Sequence, residues 1–225
     1  MTAWSAEGGL SAETANQMIE NAVGVYALPL GIAQHFIING KPVLVPMAIE
    51  EPSVIAGVSY MAKLAQAGGG FRASATAPEM IGQIQLLDLA DLSAAEALIL
   101  MHKDELLASL HGLHPTIEAL GGGAKDLHVR QIATSPIGHF LLVHLIYDVR
   151  DVMGANAVNT AAERLAGPLE ALTGGRAHLR ILSNLADRRL AKAEVTIPTS
   201  ALAFGAFGGE QVRDGILEAW AFAAV

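Results

Sequence analysis

The segment Asp151–Asn159 combines a carboxylate, a glycine and two amides at what the sequence predicts to be the start of a helix. It follows an apolar, strand-like run, Phe140–Tyr147, and leads into a helix-like run. The unpaired N–H groups and the positive dipole end of a helix favour anions, and Gly154 has no side chain to keep a ligand from the backbone. We therefore predict a pyrophosphate site here. Because the segment lacks the G-x-G-x-x-G pattern of a Rossmann turn, it indicates a different nucleotide-binding scheme.

A second set of reactive side chains, Glu50 and Glu51, lies between an apolar strand and an apolar helix. Burial there would favour the protonated form of a carboxyl group, which can then donate a proton near neutral pH. The alternative is structural, because a carboxylate just before Pro52 and Ser53 can satisfy the free N–H groups of a helix start. From these residues alone the structural interpretation is favoured.

Two further features of the sequence allow either a ligand-binding or a purely structural interpretation. His111 and His114 are separated by two residues, but the chain has no cysteine and no carboxylate constellation beside them that would complete a metal site. We predict loop histidines and no metal. The run Gly121–Gly123 precedes a predicted strand, where it can approach a phosphate or form a flexible turn.

Four blocks of the sequence, in the same order, resemble signature segments of the hydroxymethylglutaryl-CoA reductases, in particular the soluble bacterial type. The resemblance extends from about Ser11 to Val225. The first block departs from the family's pattern at Ala22 and Val23, which stay small and apolar. The four blocks are Glu20–Gly24, Val45–Ser53, His144 with Asp151–Asn156, and Leu179–Asp187.

The resemblance implies a role for each candidate residue. It makes Glu51, the glutamate directly before the proline, the catalytic one, and it places Ser53 against the acyl part of the substrate. Asn184, otherwise a polar residue at a strand end, is implied to reach the active site near the substrate. By themselves, Asp151 and Asn156 could be a helix cap and a turn residue. The residues implied to bind the dinucleotide are Asp151, Met153, Gly154, Ala155 and Asn156.

The resemblance also implies the reaction, which is two hydride transfers between 3-hydroxy-3-methylglutaryl-CoA and mevalonate plus CoA, through a mevaldehyde-level hemithioacetal. The implied cofactor is NAD(H) or NADP(H), and CoA is part of the substrate. NAD-preferring relatives carry an aspartate at about the position of His114, where it accepts hydrogen bonds from the ribose 2′-OH. A histidine lacks the negative charge with which an aspartate would repel a 2′-phosphate. The sequence is therefore compatible with NADP(H).

Such chemistry needs a cation for the developing oxyanion, a proton donor for the carbonyl oxygen and an acid for the departing thiolate. Glu51 supplies one of the three. The resemblance implies that a catalytic lysine, an aspartate and a mobile histidine lie downstream of Val225, and that a short N-terminal segment is missing. Three hypotheses follow: a fragmentary or truncated reductase, which is favoured; a half-protein that binds nucleotide or a partner without turnover; and a ligand-binding module with a structural Glu-Pro pair.

Composition sets the broad class. The 225 residues have 52% hydrophobic content and a formal net charge of −8, which predicts a globular chain and argues against nucleic acid or an anionic membrane as partner. No apolar run reaches the roughly 18 residues of a membrane span, and the first residues lack a signal peptide. Without cysteine, disulfides and thiolate chemistry are excluded. We predict a cytoplasmic protein, and both the apolar content and the resemblance indicate a homodimer or higher oligomer.

The order of predicted elements indicates an α+β fold. The central part reads strand, helix, strand, strand, helix, strand, which matches a ferredoxin-like β-α-β-β-α-β unit. We predict this unit as a nicotinamide-dinucleotide-binding domain inserted within a larger, mainly helical substrate domain. The predicted segments are 1–78 for the first part of the CoA-thioester domain, 79–187 for the inserted domain, and 188–225 for the return to the first domain.

Capping, turn and periodicity signals predict the individual elements. Ser11 caps a helix that reaches Val23, and Asn39-Gly40 joins two strands in a hairpin. The apolar face of the last helix, with Val212, Ile216, Leu217 and Trp220, is predicted to point inward. The remaining elements are helix Ser53–Ala67, strand Ile81–Leu87, helix Ser93–Leu110, strands Asp126–Thr134 and Gly138–Val149, helix Ala155–Leu172, strands Ala177–Asn184 and Leu190–Pro198, and helix Gly209–Val225.

Overall fold

The computed structural model describes residues 9–224 of the chain. Residues 1–8 and Val225, which fall within the predicted first and last segments, lie outside the described residues. The chain divides into two units: one runs up to Ala73 and resumes at Ala193, and the other is Ser74–Lys192. The second unit contains the segment predicted to be inserted, 79–187, with a few more residues at each end. The ligands predicted for the two segments stay predictions.

Helices and strands alternate along most of the chain. The helices are α1 (Ala12–Met18), α2 (Val54–Ala65), α3 (Leu92–Met101), α4 (Lys103–Ala108), α5 (Pro115–Ala119), α6 (Ala155–Thr173) and α7 (Gly209–Ala223), with 3₁₀ turns at Gln66–Gly68 and Thr199–Leu202. The strands are β1 (Leu30–Ile38), β2 (Lys41–Ala48), β3 (Phe71–Ala75), β4 (Glu79–Leu87), β5 (Gly123–Ile132), β6 (Phe140–Asp148), β7 (Arg176–Leu182) and β8 (Ala191–Val195).

The first unit has a four-stranded sheet in the order β2-β1-β3-β8, with α2 packed on β1. β1 and β2 form the predicted hairpin, in which Asn39 and Gly40 have φ of 50° and 77°. The Asn39 side chain forms two hydrogen bonds of 2.9 Å with the backbone of Ala73 in β3. The described residues of this unit are therefore mixed α and β rather than mainly helical. β3 was not predicted, because its small and polar residues show no apolar alternation.

The second unit has an antiparallel sheet in the order β5-β6-β4-β7, which interleaves two β-α-β segments. Alternate residues of β6, among them Val143 and Leu145, are fully buried beneath the helices. α6 lays a stripe of buried side chains on the same core, including Val158, Leu165 and Leu169. Gly82 of β4 permits this approach, since a Cβ there would lie 3.0 Å from Cγ1 of Val158. The α+β class predicted from the sequence is confirmed.

Two predicted helices have different bounds in the structure. α1 ends at Met18 rather than Val23, because the chain becomes extended at Ile19 and Asn21 takes a left-handed φ of 55°. The predicted helix Ser93–Leu110 is broken at His102, whose φ of −99° and ψ of 16° are not helical. α5 was not predicted, and it is a single short segment that begins with proline.

The apolar face of α7 does not point inward as predicted. Ile216, Leu217 and Trp220 are 52%, 55% and 68% exposed, and Val212 is half-buried. Within the described part of its unit, α7 packs mainly on the 3₁₀ turn Thr199–Leu202. The periodicity identified an apolar face correctly, but the described residues that touch this helix leave most of that face uncovered.

We expect Leu165→Ala to lower the free energy of unfolding by about 2–5 kcal/mol, because it removes buried methyl groups and leaves a cavity in the core. Leu165 is 0% exposed, whereas Leu120, the matched control, is 67% exposed. Leu120→Ala should change stability by no more than about 0.5 kcal/mol. Urea denaturation of both variants measures the difference, and equal effects would contradict the described core.

Candidate functional site

The chain turns from β6 into α6 at Gly154, and only glycine fits there. The φ of Gly154 is 94°, in the left-handed region that residues with a Cβ rarely adopt. A Cβ at this position would lie 2.5 Å from Sδ of Met80 and 2.8 Å from Cγ1 of Val149. The backbone of the predicted pyrophosphate segment is therefore fixed by its conformation and by close packing.

The start of α6 is open, since no side chain in the described part of the chain caps it. The N–H of Ala155 points to Sδ of Met153 at 3.4 Å, and a thioether is a weak acceptor. The helix cap is Gly154, so the alternative interpretation of Asp151 as a cap is wrong. Asn156 is the second residue of α6 and is not a turn residue. The first N–H groups of the helix are thus available to an anionic ligand.

Two arginines and a lysine surround this segment. The guanidinium of Arg189 donates to the carbonyl oxygens of Val152 and Met153 at 3.2 and 3.3 Å. Arg150 and Lys125 meet at one carbonyl oxygen in the preceding glycine run. These three cationic side chains lie at the segment in a chain whose formal net charge is −8.

The glycine run before β5 forms a packed turn. The Gly121 carbonyl accepts hydrogen bonds from Arg150 Nη2 at 2.5 Å and from Lys125 Nζ at 2.8 Å. A Cβ at Gly122 would lie 2.7 Å from the carbonyl oxygen of Asp148. Arg150 also forms an ion pair of 2.9 Å with the buried carboxylate of Asp148. The turn therefore anchors Lys125 and Arg150, the second of which directly precedes the pyrophosphate segment, so it is not a flexible turn.

His114 lies beside the first turn of α6, with its Nε2 3.2 Å from the carbonyl oxygen of Ala157. A carbonyl only accepts, so Nε2 carries the proton. The ring also contacts the buried Tyr147 edge-on, with 6.0 Å between the ring centroids.

Glu118 holds the loop before α5 by accepting hydrogen bonds from the N–H groups of Gly112 and His114. These bonds, chiefly that from Gly112, lower the pKa of Glu118. Burial, with the charge of Glu118, raises the pKa of Tyr147 to about 12.

His144 belongs to the same block of the resemblance but lies elsewhere on the sheet. Its neighbours in β6 face the helices, so its half-buried ring lies on the opposite face, across from Gln83 and His128. Burial, followed by the positive charge of Arg130, lowers the pKa of His144, which favours the neutral form of this side chain. Across residues 9–224, no three His, Cys, Asp or Glu side chains lie close enough to hold a metal ion.

The segment with the predicted catalytic glutamate forms a turn between β2 and α2. Ser53 has a φ of 70°, which is strained for serine, and its hydroxyl makes no capping hydrogen bond to α2. α2 begins at Val54, because Pro52 and Ser53 are used in the turn. Glu51 is exposed in this turn, so the burial expected from its apolar neighbours is wrong for the described residues. The open helix start and the free hydroxyl remain available to a ligand.

Asn184 lies in the exposed loop after β7, two residues beyond Leu182, whose N–H donates to Oδ1 of Asn159 on α6 at 2.8 Å. The second unit thus carries Asn184 and the whole predicted dinucleotide segment. The first unit carries Glu51 and Ser53. The roles given to these residues stay predictions.

Residues 3–225 match the family model described as hydroxymethylglutaryl-coenzyme A reductase. The chain belongs to this family. The 3-hydroxy-3-methylglutaryl-coenzyme A reductase of Archaeoglobus fulgidus is 48% identical over 216 residues, which are 96% of this chain and 48% of the relative. The resemblance drawn from the four sequence blocks is therefore confirmed.

Solved structures of the hydroxymethylglutaryl-coenzyme A reductase family share the fold. The 3-hydroxy-3-methylglutaryl-coenzyme A reductase of Streptococcus pneumoniae matches with a TM-score of 0.87 at 38% identity, over 95% of this chain and 57% of that one. A class II reductase structure from the same organism, bound to NADPH in open conformations, matches with a TM-score of 0.83 at 38% identity, over 91% and 48%. This chain spans about half the length of the relatives it matches. Within residues 9–224, no helix is long and apolar enough to cross a membrane.

We expect Gly154→Ala to destabilise this reductase-family chain and to weaken nucleotide binding, because the left-handed conformation alone costs a residue with a Cβ about 1–2 kcal/mol. The new Cβ would also meet Met80 and Val149. Gly167, within the same helix, has open space around its Cβ position and serves as control. Because Gly167 precedes Pro168, the helix propensity gained by alanine is opposed by the steric clash of a Cβ with the proline ring, and Gly167→Ala should change stability by less than about 1 kcal/mol. Thermal unfolding and NADPH titration measure both effects, and a neutral Gly154→Ala would contradict the packing described.

Proposed function

We propose that this chain supplies the nicotinamide-dinucleotide site and the catalytic glutamate of an enzyme that interconverts 3-hydroxy-3-methylglutaryl-CoA and mevalonate plus CoA. The observation that carries the proposal is the start of α6, which is fixed by Gly154, lacks a side-chain cap and has Arg189 hydrogen-bonded to the turn before it, in a chain of this family. The NADPH bound to a structural relative supports the choice of ligand.

In the reductive direction, one 3-hydroxy-3-methylglutaryl-CoA consumes two reduced cofactors and two protons and yields mevalonate, two oxidised cofactors and CoA. The bound cofactor supplies hydride. Glu51 is the proposed proton donor to the carbonyl oxygen, and its exposed position in the turn gives a substrate access to the carboxyl group. Ser53 is proposed to bind the acyl part of the substrate through its hydroxyl, which makes no capping hydrogen bond to α2. Asn184 is proposed to lie near the substrate.

The dinucleotide is proposed to bind along Asp151–Asn156, with its pyrophosphate on the open N–H groups of α6. Exposed Asp151 and Met153 border this position, and half-buried Ala155 is the first helical residue. His114 lies beside the first turn of α6, at about the position where NAD-preferring relatives carry an aspartate. Because a histidine lacks the carboxylate that would repel a 2′-phosphate, the site is proposed to accept NADP(H) as well as NAD(H). We further propose a cytoplasmic location, which the lack of cysteine in all 225 residues supports.

The most direct test of the function measures binding and turnover by the 225-residue chain alone. We expect it to bind NADPH or NADH in calorimetric titration but not to reduce 3-hydroxy-3-methylglutaryl-CoA at an enzymatic rate. The five lysines do not match the family's lysine motif, and loss of one oxyanion-stabilising group alone costs about 2.7–4 kcal/mol of barrier. Failure to bind either nucleotide would contradict the proposed site. Rapid turnover would contradict the need for further catalytic groups.

In a polypeptide that joins this chain to the part present in its longer relatives, Glu51→Gln should reduce turnover by about 10²–10⁴-fold, because an amide cannot deliver the proton. The nucleotide dissociation constant should remain nearly unchanged. Glu50→Gln is the matched control and should have a milder effect, since adjacent side chains at this junction point in different directions. Equal losses of turnover in the two variants would argue against the assignment of Glu51.

We propose that the chain self-associates through the apolar face of α7 and the segment Glu20–Gly24. Leu217 and Trp220, three positions apart on α7, are 55% and 68% exposed, and Val23 is fully exposed. Exposed apolar faces mark association sites. Trp220→Glu should shift the chain towards monomer in sedimentation analysis, whereas Glu218→Gln on the same helix should not. A strictly monomeric wild-type chain at micromolar concentration, with undiminished nucleotide affinity, would refute this proposal.

A further inference from the structure

Arg189 lies outside the four family blocks, yet its side chain contacts the turn that leads into α6. Its Nη1 donates to the carbonyl oxygen of Met153 at 3.3 Å and contacts Sδ of Met80 at 3.7 Å. Its Nη2 donates to the carbonyl oxygens of Arg150 and Val152 at 3.4 and 3.2 Å. One guanidinium therefore spans three carbonyl groups of the turn that leads into α6.

Arg189 is thus hydrogen-bonded to three negative dipole ends of the turn. The carbonyl oxygens of Arg150, Val152 and Met153 accept from it, and no described side chain caps the N–H groups at the start of α6. A planar guanidinium carries five donors in a fixed fork, so it can hold several carbonyls at once, whereas an ammonium group is a compact point charge. The positive charge also adds to that of the helix start.

The backbone of Arg189 is itself held on both sides. The Thr76 hydroxyl donates to the carbonyl of Arg188 at 2.6 Å and accepts from the N–H of Leu190 at 2.9 Å. The N–H of Thr76 donates to the carbonyl of Leu190 at 3.0 Å. Arg188 also pairs with Glu79 at 3.3 Å. Arg189 therefore reaches over the turn from a fixed point, although its side chain is exposed.

We propose that Arg189 is a positioning residue of the dinucleotide site, which sets the affinity for a pyrophosphate-containing ligand by orienting the carbonyls of residues 150, 152 and 153 away from it. This inference rests on the proposed function. Arg189 acts through the turn, so its loss affects NADPH and NADH alike, whatever groups recognise the ribose.

The test compares Arg189→Gln with Arg188→Gln in the full chain. Arg188 is the matched control because it is adjacent, has the same charge and pairs with Glu79 rather than with the turn. We expect Arg189→Gln to raise the dissociation constants for NADPH and NADH by about tenfold, as for the loss of charged hydrogen bonds. Arg188→Gln should change them less than about twofold on the same scale.

Two further measurements separate positioning from general stability. Amide hydrogen exchange in Arg189→Gln without nucleotide should accelerate at residues 152–158 and remain unchanged at β5 and β6. Arg189→Lys, which keeps the charge, should recover only part of the affinity; it also provides a folded variant if Arg189→Gln does not fold. Complete recovery in Arg189→Lys would overturn the role of the fork. Wild-type affinity in folded Arg189→Gln would overturn the inference, whereas a wild-type chain that binds no nucleotide would overturn the proposed function itself.

Discussion

The turn between β6 and α6 depends on the absence of a side chain at Gly154. The left-handed φ of 94° and the nearby atoms of Met80 and Val149 leave no space for a Cβ. This turn sets where α6 begins and how its apolar stripe, including Leu165, meets the sheet. The same turn leaves the helix start without a capping side chain. One local constraint thus determines both the packing of the second unit and the feature proposed to bind a dinucleotide.

Binding of an anion by this chain must be local, because its formal net charge is −8. Backbone N–H groups and a few placed cations provide the attraction that the overall charge does not. Arg150 is held by the buried carboxylate of Asp148, which accepts from its N–H at 2.9 Å and from its guanidinium at 2.9 Å. Ser53 in the first unit has the same local conformation as Gly154. Each is a left-handed residue that precedes a helix which no described side chain caps.

Much of this architecture could be predicted from local signals. Asn39-Gly40 predicted its hairpin, and the period of the apolar residues placed α6 within one residue of its observed end. The contacts of Arg189 could not be predicted, because they join residues 36 to 39 positions apart without a pattern in the sequence. The break at His102 was missed since the apolar period continues through it. For α7 the pattern identified an apolar face, but periodicity does not show what covers a face.

Backbone amide NMR during addition of NADPH shows whether the open start of α6 binds the dinucleotide. If it does, the largest chemical-shift changes occur at residues 153–158, and the amides at the start of α7, also a helix without a side-chain cap among the described residues, change little. The largest changes at α7, or none at residues 153–158 when the nucleotide is bound, would contradict binding at the start of α6.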